Sequence, residues 1–138
     1  MHDAVKSKAF SKIGDSIANL IFSLSQAKYA SDSRGKGNID FKGSPKVSAK
    51  VLKTALARAK ERTGFPIAIK GDAHAIADAV EAIIAYAWAK KLIHIENCVE
   101  ILSSEINKKK PEKLREEWEA HANGFATILE NIFAQLNA

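Results

Sequence analysis

DAHAIADAVEAIIAYAWAKKLI, residues 72–93, is the stretch on which the fold of this chain turns. Ile76, Val80, Ile83, Ile84, Ala87 and Trp88 recur at three- and four-residue spacing, which is a helical period. Asp72 after Gly71 can cap the helix start, and Lys90 with Lys91 complements the negative end of its dipole. Between Ala73 and Ala89 the only strongly polar side chains are His74, Asp78 and Glu81. Residues three apart share a helix face, so Asp78 and Glu81 present neighbouring carboxylates from a helix otherwise built for burial. Unpaired buried charge costs roughly several kcal/mol, so the pair needs cations, protonation or a metal ion. The alternative is a solvated strip with both acids in water.

Outward from this helix, Ala77-Asp78-Ala79-Val80-Glu81-Ala82-Ile83-Ile84-Ala85 resembles the second catalytic motif of the ribonuclease III endonuclease domain, A-D-x-hydrophobic-E-A-hydrophobic-hydrophobic-G. Ala85 replaces the final glycine. Near the N-terminus, Phe10-Ser11-Lys12-Ile13-Gly14-Asp15-Ser16-Ile17 is similar to the signature helix of the same family, E-hydrophobic-L-G-D-A/S-hydrophobic. Asp15 takes the place of the signature aspartate, and Ser11 stands where the leading glutamate would be. The resemblance covers roughly residues 5–95 and is specific at its two ends. It implies an all-α bundle of about five main helices, a single domain over residues 1–138.

Composition is compatible with that reading. The chain has 138 residues, 46% of them hydrophobic, as in an ordinary globular domain. No apolar run is long enough for a membrane helix, and Asp3, Lys6 and Lys8 occupy the place of a signal peptide's apolar region, so a cytoplasmic protein is expected. The one cysteine, Cys98, excludes an internal disulfide and reads as a buried thiol. Net charge is +5 but uneven: residues 1–70 carry 14 Lys/Arg against 5 Asp/Glu, residues 71–138 carry 7 against 11. A basic pole of this kind fits a polyanion such as nucleic acid.

Phe10, Ile13, Ile17, Leu20, Ile21 and Leu24 give a first helix from residue 3 to about 29, interrupted only by Gly14. A mid-helix glycine costs about 1 kcal/mol against alanine, which makes sense where another helix packs close. Residues 31–45, SDSRGKGNIDFKGSP, read as a loop carrying Arg34, Lys36 and Lys42 around Phe41. A second helix is expected over about 46–62, with Lys50, Lys53, Arg58, Lys60 and Arg62 mostly outside. Arg34, Lys36, Lys42, Lys50 and Lys53 are the candidate RNA-binding residues, with plain solvation the alternative. Helices near 95–106 and from Pro111 to about Leu136 complete the chain. Nothing after them could form a separate double-stranded-RNA-binding domain, and no zinc, phosphate-loop or HExxH pattern occurs.

The resemblance implies a metal-dependent endoribonuclease of double-stranded RNA, with Asp15, Asp78 and Glu81 as catalytic residues and Mg²⁺ (or Mn²⁺) ligands. Carboxylates suit Mg²⁺, which takes oxygen donors and keeps several waters. The compact bacterial members of the family, which lack the RNA-binding domain, also lack the glutamate replaced here by Ser11. The same resemblance implies a homodimer joined through the signature helix, on which Phe10, Ile17, Ile21 and Phe22 are apolar. The alternative is an inactive ribonuclease III-like scaffold that binds RNA or the ribosome.

Overall fold

The computed structural model describes residues 1–34, 46–109 and 114–137, and among these there are six helices and no strand. They are α1 (His2–Val5), α2 (Lys8–Arg34), α3 (Ala49–Thr63), α4 (Ala73–Ala89), α5 (Ile95–Lys109) and α6 (Leu114–Asn137). The all-α class and the five main helices agree with the sequence reading, and α1 is an addition to it.

The expected N-terminal helix is divided at Lys6–Ser7. A hydroxyl explains the break: Ser7 Oγ accepts the Phe10 N–H at 3.2 Å, giving α2 a side-chain cap that competes with helix continuation. At the other end α2 runs to Arg34, into what the sequence suggested was loop. Serine and aspartate cost a running helix well under about 1 kcal/mol each, so it can propagate through Ser31, Asp32 and Ser33. Residues 35–45, including Lys36 and Lys42, lie outside the described residues, as does the Arg34 side chain.

Helix α3 starts later than expected, at Ala49, because Ser48 caps it by accepting the Val51 N–H at 3.2 Å. Gly64, with φ 67°, closes it in the left-handed conformation and donates to the Lys60 carbonyl at 2.8 Å. Helix α4 has the bounds read from sequence, with Asp72 accepting the Ala75 N–H at 2.9 Å. Its C-terminal end is a Schellman turn: the Leu92 N–H reaches the Ala87 carbonyl at 2.8 Å and the Lys91 N–H reaches Trp88 at 3.1 Å. Lys91, at φ 61°, occupies the left-handed position usually given to glycine, at a cost of about 1 kcal/mol.

Helix α4 is the centre of the bundle, packed between α2 and α3, while α6 lies against α3 and α5, and α5 also meets α2. Val80, Ile83 and Ile84 of α4, Ile21 of α2, Leu52 of α3 and Phe125, Leu129, Ile132 and Phe133 of α6 form a continuous buried core. Phe65, in the link after α3, stacks on Phe133 with ring centroids 4.5 Å apart. Ser25 Oγ donates to the Ile21 carbonyl at 2.6 Å and lies 3.3 Å from the Val99 carbonyl, pinning α2 to α5. No helix among the described residues is long and apolar enough to cross a membrane.

Candidate active site

Helices α2 and α4 cross where Gly14 meets Glu81. A Cβ on Gly14 would overlap the Glu81 carbonyl group and lie 2.9 Å from its Cα, so only glycine allows the two backbones this approach. Phe10 touches Tyr86 edge-on, with centroids 6.4 Å apart. Contacts that move back along α2 as they move forward along α4 mean that the helices run antiparallel. This crossing brings Asp15 of one motif to Asp78 and Glu81 of the other.

The three acids line one open cavity of about 440 Å³ together with Lys8, Ser11 and Lys12. Their settings differ. Glu81 is buried, 6% exposed, while Asp15 and Asp78 are exposed at the rim. Burial pushes the Glu81 carboxyl up to about 8, helped by a hydrogen bond with Asp15 and by the charges of Asp15 and Asp78, while Lys46 pulls the other way. At neutral pH Glu81 therefore keeps its proton, which its hydrogen bond gives to Asp15, as expected for neighbouring carboxyls of which one is buried. Asp78 and Glu81 share a helix face, as their spacing required, but sit at different depths.

Asn19 holds Asp15 in place. Its Nδ2 donates to Asp15 Oδ1 at 3.2 Å, and its Oδ1 accepts the Val47 N–H at 3.0 Å. One side chain thus ties the site to the stretch of backbone that bears Lys46. Among the described residues no three His, Cys, Asp or Glu side chains are gathered closely enough to hold a metal ion jointly. The donor chemistry nevertheless suits a hard divalent cation, since Mg²⁺ is commonly held by one or two carboxylates and several waters. Asp15 and Glu81 offer that pair once the Glu81 proton leaves.

Of the five expected RNA-binding residues, Lys50 and Lys53 are exposed on α3. Arg58 and Arg62, expected to extend that basic face, do not: Arg58 Nη2 donates to both carboxylate oxygens of Glu119 at 2.8 and 3.0 Å, its Nη1 donates to Asn123 Oδ1 at 2.7 Å, and Arg62 reaches Glu130 at 3.2 Å. Helix α3 packs on α6, and α6 supplies the acids. Lys8, Lys12 and Asn19 were missed as site residues, although Lys8, Ser11, Lys12 and Asp15 follow one helix face by spacing alone. Asn19 and Lys46 depend on tertiary contacts.

Cys98 is buried, and its thiol is pushed up to about 11 by burial, consistent with a core residue. His121 is buried against Phe22, ring centroids 4.6 Å apart, and burial lowers its imidazole to about 4, so it packs as a neutral ring. His2, His74 and His94 are exposed.

No curated protein matches the chain. The sequence model of one family, described as Ribonuclease III, matches residues 8–138, from the first residue of α2 to the end of the chain. A match of that extent takes in both helices of the crossing and every acid of the cavity, and the chain belongs to the ribonuclease III family, the endoribonucleases of RNA processing.

Proposed function

We propose that the protein is a cytoplasmic, Mg²⁺- or Mn²⁺-dependent endoribonuclease that hydrolyses phosphodiester bonds of double-stranded RNA. The observation that carries this reading is the convergence of Asp15, Asp78 and Glu81 from two separate motifs on one cavity, with Glu81 and Asp15 joined by a hydrogen bond. Asp15 and Glu81 would hold the ion, and Asp78, at the rim, would support it through water. When bound, such an ion offsets charge on the attacking and leaving oxygens of a phosphodiester. Lys50 and Lys53 attract the phosphates, with Arg34, Lys36 and Lys42 as further candidates. A-form RNA is read by shape, phosphate and 2′-hydroxyl, so base sequence matters little.

The family resemblance also supports a homodimer through α2. The residues first expected to form that surface are used within the subunit: Ile17, Ile21 and Phe22 are buried in its core, and Phe10 packs on Tyr86. Ile13 and Leu20, 47% and 46% exposed, remain on the outer face of α2, seven residues apart, and are the apolar pair available for isologous contact.

The lack of a ready three-donor group among the described residues favours the competing reading of an inactive RNA-binding or ribosome-associated scaffold. Labelled duplex RNA incubated with Mg²⁺ separates the two. Duplex cleavage that EDTA stops, and that Asp78→Asn or Glu81→Gln abolishes without loss of binding, is expected. Cleavage at the parent rate by both variants would falsify the nuclease assignment.

A further inference from the structure

We propose that Lys8 and Lys12 bind the phosphodiester that enters the cavity; this rests on the nuclease reading above. Both lysines line the same cavity as the three acids, from the α2 face that carries Asp15. Neutralising those acids is not their task. Among the described residues neither lysine takes part in an ion pair, whereas Arg58, Arg62, Lys28 and Lys108 all pair with carboxylates. The cation whose field reaches Glu81 is Lys46, next in the chain to the Val47 that Asn19 holds. Ammonium groups without an ion-pair partner at the edge of a cavity are free to meet an anion that enters it. A phosphodiester is the anion the proposed reaction brings, and lysine serves phosphate as a compact charge with three donors.

Lys8 is also the first residue of the 27-residue α2, where the positive end of the helix dipole adds to its attraction for phosphate.

The test reads RNA binding and does not depend on turnover. In EDTA, the affinity for a fully paired RNA duplex should fall several-fold in Lys8→Gln and in Lys12→Gln, and the salt dependence should lose roughly one unit of slope for each. Lys12→Arg should restore it, since the charge returns. Parent affinity and slope in the Lys8→Gln/Lys12→Gln double variant overturn the phosphate role. Both lysines are exposed, so the variants should melt with the parent. These readouts decide the proposal whether or not the parent cleaves RNA, and cleavage by the parent decides the nuclease reading separately.

Discussion

Gly14 of α2 lies directly against the backbone of Glu81 in α4, leaving no room between them for a Cβ. The closest approach of the two helices is therefore also the place where the acids of the two motifs meet.

Gly14→Ala should be severely destabilising for that reason. The atoms in the way are backbone and cannot swing aside, so the helices must separate, at a cost of roughly 3 kcal/mol. Denaturant unfolding measures it. A midpoint equal to the parent's would mean that the crossing is looser than described.

Glu81 should make the metal-free protein less stable as pH rises. Its folded carboxyl holds its proton up to about 8 against an ordinary 4.5, so between those values the unfolded chain binds fewer protons than the folded one. Stability then falls with rising pH across this window and levels off above it, by at most about 1.4 kcal/mol for each pH unit crossed. Thermal melts from about pH 4 to about pH 9, which bracket that window, should show the decline in the parent and a flatter profile in Glu81→Gln. Added Mg²⁺ should restore stability near neutral pH with release of a proton, which calorimetry in buffers of different ionisation enthalpy detects. Identical pH profiles for parent and Glu81→Gln would rule Glu81 out as the source.

Asn19→Ala removes both the donor to Asp15 and the acceptor of the Val47 N–H. Partners that orient a metal ligand commonly contribute about tenfold or more to metal affinity, so Mn²⁺ binding should weaken by roughly tenfold. The fold should lose only about 1 kcal/mol, because the Val47 N–H is half-buried and water can reach it. Unchanged Mn²⁺ affinity would leave Asn19 a purely structural bond.

Ile13→Asp or Leu20→Asp should yield monomers from a parent dimer of twice 15.0 kDa, read by light scattering at micromolar concentration. Both side chains are about half exposed within the subunit, so the monomer should stay folded. A parent that is already monomeric removes this surface from consideration.

Lys50→Gln and Lys53→Gln should weaken duplex RNA binding and flatten its salt dependence with no change in stability. Arg58→Gln should do the opposite, costing on the order of 1 kcal/mol of stability through Glu119 and Asn123 and leaving RNA affinity nearly intact. The contrast separates a solvated basic face from one used in helix packing.

By itself the sequence determined the helical class, the bounds of α4 with its Asp72 cap, and the two motifs that carry Asp15, Asp78 and Glu81. These are local matters, since periodicity, capping and motif spacing act over a few residues along the chain. It read less well where a small polar side chain chose between helix and cap, as Ser7 and Ser48 do. Only the tertiary structure decided that Glu81 is buried and protonated while Asp78, three residues away, stays in water. That difference arises because α2 covers one of them and not the other. Only the tertiary structure joined Asn19 to Val47, committed Arg58 and Arg62 to α6, and enclosed Ile17, Ile21 and Phe22 in the core while leaving Ile13 and Leu20 outside. Each of these outcomes depends on which helix faces which, and spacing within one helix says where a side chain points but not what it meets there.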